Sequence, residues 1–353
     1  MTRWIGSLEG FSRRVVMCCV VTGGLVLLLV TLPITLPVVV VADLVTGPRR
    51  MRFSRLLAMG INYLALETVG IVVAIALWIG TGFGLAMQTR WSQRLHHLVQ
   101  LWWTRQVMSA TERWLKAEII DDGADLLTTG NVIICARHAS FFDAVVPAVL
   151  IGRTTDEVPL RHVLKKGLAF DPCLDIYGSR LPNHFVDRLP DNRGAELDAI
   201  GALGAELDGA AGVIFPEGTF HSEARAERIR ARVGRRHPER LARIDKLRHL
   251  LPPHPGGTLA MLRAAAGADL AFVAHTGFEP FGSFRAIIAN VPFDHPIRAK
   301  VWRVPATDIP DDDEARLVLI DRWWQTMDDW ITEHRRHTPP VGKHRQQSGT
   351  REQ

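Results

Sequence analysis

The chain has 353 residues, a formal net charge of +5, and a hydrophobic fraction of 47%. This length holds one large domain or two ordinary ones and can bury a sizeable core. The basic balance favours anionic partners such as phospholipid headgroups or phosphorylated substrates. The four cysteines form no C-x-x-C pair and no His/Cys cluster, so the sequence predicts neither a disulfide framework nor a zinc site.

Two long apolar segments without charged residues lie near the N-terminus, at residues 15–42 and 68–89. Each is long enough to cross about 30 Å of hydrocarbon at about 1.5 Å per helical residue. The first is too long for the apolar part of a signal peptide, and no clear cleavage site follows it. We therefore predict a hydrophobic helical membrane anchor over residues 1–90, with buried core helices as the alternative.

Arginines flank both ends of each apolar segment. They are Arg13, Arg14, Arg49, Arg50, Arg52, Arg55, Arg90 and Arg94. If both segments spanned the membrane, the middle cluster would lie on the side away from the following domain, against the tendency of basic residues to stay inside. Pro33 and Pro37 allow the first segment to bend. Two helices that dip into one leaflet would place every cluster on one membrane face, and this is the predicted arrangement.

Residues 91–118 have helical spacing and four tryptophans, and are predicted to link the anchor to a domain at 119–337. This linker is either a membrane-surface helix or an ordinary packed helix. Short apolar runs then alternate with helical patterns. Predicted strands cover 131–136, 162–164, 184–186, 212–215, 270–274 and 285–291, and predicted helices include 193–207, 257–266 and 312–334. The alternation predicts an α/β domain with a mainly parallel sheet flanked by helices. The polar tail at 338–353 is predicted to be disordered.

The first chemically informative stretch is N-V-I-I-C-A-R-H-A-S-F-F-D, at residues 131–143. His138 follows the end of a buried strand, and Asp143 lies five residues later. Histidine suits proton transfer near neutral pH, and a carboxylate beside it can fix its tautomer. Alternatively, Ser140 and Asp143 have the spacing of a capping box, in which case Asp143 would only cap a helix.

The second stretch is G-V-I-F-P-E-G-T at residues 212–219, an apolar strand that runs into a turn. Together, H-x4-D and F-P-E-G-T at this separation resemble the glycerolipid acyltransferase family, of the lysophosphatidate acyltransferase type. The resemblance implies transfer of a fatty acyl chain from acyl-CoA or acyl carrier protein to a lysophospholipid hydroxyl. It also implies direct transfer without a covalent intermediate, a resident cofactor or an obligatory metal.

The resemblance assigns roles to particular residues of this chain. His138 takes the acceptor proton and Asp143 orients it. The residues implied in binding the acceptor are Arg188, Glu217, Gly218 and Thr219. Arg188 ends an apolar patch that matches the family's second block, and its fork of donors suits a phosphate; a plain surface arginine is the alternative.

Three departures from the family pattern leave the acceptor open. Arg137 stands where asparagine is usual before the histidine, Phe220 replaces the common arginine after F-P-E-G-T, and residues 270–275 lack the usual proline. The first choice of acceptor is 1-acyl-glycerol-3-phosphate, which would give phosphatidic acid. The alternatives are another lysophospholipid such as lysocardiolipin, indicated by the L-L-P-P segment within 248–257, or a non-catalytic lipid-binding relative.

The remaining features bear on partners and location. Residues 220–250 carry ten basic residues against four acidic ones, which predicts either a surface for anionic lipid or headgroup, or a solvated charged helix. Scattered histidines, including His275, match no metal spacing and are interpreted as core or surface residues. No nucleic-acid module is present in the sequence, so nucleic acid is not an expected partner. We expect a bacterial inner-membrane protein with its catalytic domain on the cytoplasmic face.

Overall fold

A computed structural model describes residues 8–186 and 193–335. Its strands are β1 (Ile119–Asp122), β2 (Val132–Ala136), β3 (Leu160–Lys165), β4 (His184–Val186), β5 (Ala211–Ile214), β6 (Asp269–Thr276) and β7 (Ile297–Val304). They form one sheet in the order β1-β7-β6-β2-β5-β3-β4. Every pairing is parallel except that of β6 with β7, which is antiparallel. The predicted α/β class with a mainly parallel sheet is confirmed.

Helices surround this sheet. In the described ranges they are α1 (Leu8–Thr46), α2 (Arg52–Gly80), α3 (Arg90–Ala110), α4 (Val146–Thr154), α5 (Pro172–Arg180), α6 (Arg193–Ala205), α7 (Glu223–Arg236), α8 (Pro238–Ile244), α9 (Pro255–Ala264), α10 (Phe284–Asn290) and α11 (Asp313–Arg335). The central strand β2 is buried over its whole length, as expected for a strand covered on both faces.

The side chains of β2 alternate between two core layers. Ile134 packs with residues of α2 to α5, whereas Ile133 and Cys135 pack with residues of α6 to α9 and of α11. The sheet therefore separates α2 to α5, together with α10, from α6 to α9 and α11. This division determines which helices lie on the same face of the sheet and can meet a bilayer together.

The predicted strand at 285–291 is wrong, since these residues form α10. Ser283 begins this helix: its Oγ accepts a hydrogen bond from the backbone N–H of Ala286 at 3.2 Å. The last strand in chain order is β7 instead, which the sequence did not indicate. The other predicted strands and helices are present with bounds shifted by a few residues.

The first apolar segment lies within α1 and the second begins within α2, and both helices are long and apolar enough to cross a membrane. Helix α1 runs through Pro33 and Pro37 without interruption. Helix α2 ends at Gly80 rather than continuing to residue 89, because Gly82 and Gly84 adopt positive φ angles of 64° and 91°. Both helices expose many large apolar side chains, a pattern that marks a membrane or protein contact surface.

Helix α2 is also part of the domain core. The buried Glu67 accepts hydrogen bonds from Trp103 Nε1 in α3 at 2.8 Å and from the backbone N–H of Cys173 in α5 at 3.0 Å. Tyr63 donates to Asp171, which caps α5. Burying a carboxylate is costly unless its oxygens are paired, so these contacts fix α2 to the rest of the domain.

Candidate active site

Three loops meet at the carboxyl ends of adjacent parallel strands. The loop after β2 holds His138, the loop after β5 is the F-P-E-G-T turn, and β3 ends at Lys165. Strand β5 pairs with both β2 and β3, so these ends are neighbours. In open α/β sheets this edge is the usual place for ligands. The fold therefore brings the two sequence motifs together.

His138 and Asp143 form a hydrogen-bonded pair. His138 Nδ1 lies 3.2 Å from Asp143 Oδ2, and the Asp143 side chain is fully buried whereas the His138 side chain is 11% exposed. Lys165 Nζ lies 2.9 Å from the other ring nitrogen, Nε2. Because an ammonium can only donate, Nε2 is an unprotonated acceptor and Nδ1 carries the proton towards Asp143. This is the tautomer that a general base acting through Nε2 requires.

The two interpretations of Asp143 are both present in the structure. Asp143 accepts hydrogen bonds from the backbone N–H groups of Ala139 and, at 2.6 Å, Ser140, and from Ser140 Oγ at 2.8 Å. Together with Ser140 it forms a capping box at the start of the 3₁₀ turn Phe141–Val145. The same carboxylate thus begins a helical segment and holds His138.

A second histidine contacts the same carboxylate. His275 Nε2, at the end of β6, lies 3.4 Å from Asp143 Oδ1 and 3.3 Å from the carbonyl oxygen of Arg137. Since both neighbours are acceptors, Nε2 must carry a proton. His275 is 1% exposed, and burial lowers its pKa below the ordinary histidine value. Sequence reasoning treated His275 as an ordinary core or surface residue, because only the β2–β6 pairing brings it to the site.

The pKa of Asp143 reflects these contacts. Burial alone would raise it, but His275, the hydrogen bond with His138 and the backbone N–H of Ser140 outweigh burial and hold the pKa below its ordinary value. The carboxylate is therefore ionised at neutral pH. An ionised carboxylate stabilises the imidazolium that forms when His138 accepts a proton.

Arg137 and Phe220, the two residues that depart from the family pattern, have clear structural positions. Arg137 is buried and points away from His138, donating to the carbonyl of His275 and pairing with Glu279 at 3.0 Å. Phe220 packs against the His138 ring with a centroid distance of 4.5 Å, and Lys165 Nζ lies 5.5 Å from the Phe220 centroid. Phe220 therefore places an apolar ring beside His138, where the family pattern has a charged side chain.

Glu217 is buried and holds backbone rather than facing solvent. One oxygen accepts from the N–H of His138 at 2.7 Å, and the other accepts from the N–H of Leu251 at 2.9 Å. Burial raises its pKa to about 8, against the lowering effect of these two N–H groups. Glu217 thus ties the His138 loop to the L-L-P-P segment.

The other predicted binding residues lie at or near this edge. Gly218 has a φ of 64°, a conformation that glycine adopts without strain, and it is exposed beside the half-buried Thr219. Arg188 lies outside the described residues. Cys135 is fully buried in β2, and burial raises the pKa of its thiol to about 12, so no thiolate is available there near neutral pH.

Comparison with known proteins agrees with this geometry. Residues 118–273 match the model of the acyltransferase family, so this part of the chain is an acyltransferase domain. The predicted resemblance to the acyltransferases is confirmed at the level of this domain. The crystal structure of the 1-acyl-sn-glycerophosphate (LPA) acyltransferase PlsC from Thermotoga maritima is similar at a TM-score of 0.40 and 13% identity. That similarity covers 77% of this chain and 98% of the other. No curated protein matches the sequence significantly.

Proposed function

We propose that this protein transfers a fatty acyl chain from a thioester to the free hydroxyl of 1-acyl-glycerol-3-phosphate, giving phosphatidic acid. The donor is acyl-CoA or acyl carrier protein, and no resident cofactor takes part. The observation that carries the proposal is the His138–Asp143 pair, with its base nitrogen directed away from Asp143, in a domain of the acyltransferase family. A thioester is reactive enough that a positioned general base suffices for attack by a hydroxyl.

In the proposed mechanism, His138 Nε2 removes the proton from the acceptor hydroxyl as its oxygen attacks the thioester carbonyl. The tetrahedral intermediate then expels the thiolate, which takes the proton back from His138. Asp143 keeps the ring in the correct tautomer and stabilises its transient charge. Lys165 lies at Nε2, where the acceptor hydroxyl must bind, so its ammonium has to shift when the acceptor enters.

The residues predicted to bind the acceptor have different roles in this proposal. Gly218 and Thr219 line the turn beside the base, and Arg188 remains the predicted phosphate ligand. Glu217 acts through the backbone instead: because both its oxygens bind N–H groups, it positions His138 and the segment at Leu251. It is therefore a positioning residue and not a direct contact of the glycerol phosphate.

The test is a panel assay of purified protein in detergent or vesicles. The acceptors are 1-acyl-glycerol-3-phosphate, lysocardiolipin, lysophosphatidylglycerol and lysophosphatidylethanolamine, each with acyl-CoA and with acylated carrier protein. We expect the highest kcat/KM for 1-acyl-glycerol-3-phosphate. A clear preference for another lysophospholipid would identify that lipid as the acceptor instead. Lipid binding without transfer to any acceptor would show that the protein is a non-catalytic lipid-binding relative.

His275 offers a specific test of the groups that surround Asp143. Replacing it with leucine removes the Nε2–H group that donates to the carbonyl oxygen of Arg137 and lies 3.4 Å from Asp143 Oδ1. Leaving a buried polar group without its partner costs about 1–3 kcal/mol. We expect His275→Leu to lower kcat at least about tenfold with little change in KM. His275→Gln, whose amide can donate from nearly the same place, should recover most of the rate. Equal rates for both variants and wild type would show that His275 does not contribute to acyl transfer.

We also propose that α1 and α2 enter one leaflet and do not cross the membrane. Near the start of α1, Arg14 binds Asp175 of α5 through two nitrogens, at 2.9 and 3.0 Å. Just after the end of α1, Arg50 pairs with Asp294 at 2.8 Å, and Arg55 donates to the carbonyl of Trp114 at 3.1 Å. Both ends of α1 thus contact the same domain, which a spanning α1 would place on both sides of the bilayer.

Thiol labelling tests this topology. In a variant whose Cys18 and Cys19 are serine, the exposed Arg49 between α1 and α2 is changed to cysteine. We expect a membrane-impermeant thiol reagent to leave this cysteine unlabelled in intact bacterial cells and to label it after lysis, which controls for reactivity. Strong labelling in intact cells would establish two spanning helices.

A further inference from the structure

Helix α7 begins at the active site and leads away from it. Arg225 in its first turn donates to the carbonyl of Phe220 at 3.0 Å, and Phe220 itself packs on the His138 ring. The 14 residues of α7 make a helix about 21 Å long at 1.5 Å per residue. Its outer surface therefore extends from the catalytic base to the periphery of the domain.

The exposed face of α7 is a stripe of arginines. The four residues of this arginine stripe are Arg228, Arg232, Arg235 and Arg236. Their spacing of four, three and one residues places them on one side of the helix, opposite the buried Ala226 and Val233. The acidic Glu227 lies about 100° around the helix from Arg228, outside the stripe.

Within residues 8–186 and 193–335, none of the four stripe arginines pairs with a carboxylate. Arg228 donates only to the carbonyl of Ala224, at 3.1 Å. Other arginines of the same region are paired internally: Arg240 and Arg243 both bind the buried Asp321. The stripe thus concentrates positive charge on a surface that the fold itself does not neutralise.

The position of α7 decides between two anionic partners. Val233 of α7 packs in the core layer of α6 to α9 and α11, whereas α2 packs in the layer on the other face of the sheet. The arginine stripe and the membrane helices are therefore separated by the sheet. Because the stripe lies on the other face of the sheet from the proposed membrane helices, an anionic partner in solution suits it better than anionic lipid.

We propose that the arginine stripe is the docking surface for an acidic carrier protein that delivers the acyl thioester. This rests on the proposed function. An acidic protein surface complements a row of guanidinium groups about two turns long, and such charge pairing speeds encounter more than it tightens binding. Docking along α7 would leave the carrier's flexible thioester arm at the end of the helix nearest His138.

The test compares two variants that each lose four positive charges. One has the four stripe arginines changed to glutamine. The matched control variant has four exposed arginines elsewhere changed to glutamine: Arg113, Arg285, Arg298 and Arg322. For each protein, kcat/KM is measured with acylated carrier protein and with acyl-CoA across a range of salt, and binding of the carrier protein is measured directly by calorimetry.

We expect the stripe variant to lose at least about tenfold in kcat/KM with the carrier protein, within the range of electrostatic steering. It should also lose its salt dependence and change less than about twofold with acyl-CoA. The control variant should behave as wild type. Equal losses with both donors, a changed response to anionic vesicles, or a wild type that does not bind the carrier protein would each overturn the proposal. If neither donor supports transfer by wild type, the proposed function fails, while the binding measurement still decides the docking surface.

Discussion

Replacement of His138 by alanine is expected to lower the rate of acyl transfer by about 10²–10⁴-fold, the usual contribution of a general base. In the proposed mechanism the ring supplies the Nε2 atom that removes the acceptor proton, and the neighbouring Lys165 cannot take this role while it is an ammonium. The fold should survive, because the His138 ring packs on Phe215 and Phe220, which are half-buried residues outside the interior of the core.

The measurement is thiol release and ester formation by purified His138→Ala protein, compared with wild type at equal membrane binding and equal melting temperature. Retention of more than about a tenth of the wild-type rate would contradict the assignment of His138 as the base. A matched variant, Phe220→Leu, alters the wall beside the ring without touching its nitrogens. It should keep a rate within about tenfold of wild type, well short of the loss of a general base.

Changing Asp143 to asparagine should have the second largest effect, a fall in kcat of about 10²–10⁴-fold, combined with a lower melting temperature. The asparagine amide can accept through one oxygen only, and its NH₂ group faces the N–H groups of Ala139 and Ser140, which also donate. It therefore fails to fix the Nδ1 proton of His138, and it leaves buried donors unsatisfied.

Ser140→Ala separates the two roles of Asp143. It removes the capping hydroxyl, which is also one of the donors to Asp143, but it leaves the contact between Asp143 and His138. It should therefore cost about 1 kcal/mol of stability and lower the rate by less than about tenfold. If Asp143→Asn behaved in the same way, losing stability but not rate, Asp143 would be a helix cap and nothing more.

Local patterns in the sequence were enough to predict the centre of the sheet. Strands β2 and β5 are short apolar runs that each end in a polar motif, and parallel strands covered on both faces are nearly all apolar. The H-x4-D spacing also predicted the His138–Asp143 contact, because the two residues are only five positions apart in the chain. Such features depend on neighbouring residues and can be recognised without the fold.

The predictions that were wrong or missing concern residues whose structure depends on contacts outside the local sequence. The run at 285–291 has strand composition, but the cap at Ser283 begins a helix there, and the run becomes α10. His275 reaches Asp143 only because β6 pairs with β2, a contact between residues more than 130 positions apart. Similarly, Glu217 belongs to a motif associated with the acceptor, yet its burial and its two backbone partners appear only in three dimensions.

The most direct test of the central claim is the stoichiometry of a single incubation. Wild-type protein receives an acyl thioester and isotopically labelled 1-acyl-glycerol-3-phosphate; free thiol is counted by colorimetry, and the labelled phosphatidic acid by mass spectrometry. Direct transfer through His138 predicts one new ester for each thiol released, with both lowered by about 10²–10⁴-fold in His138→Ala. Thiol release without the ester, or ester formation by His138→Ala at more than about a tenth of the wild-type rate, would contradict it.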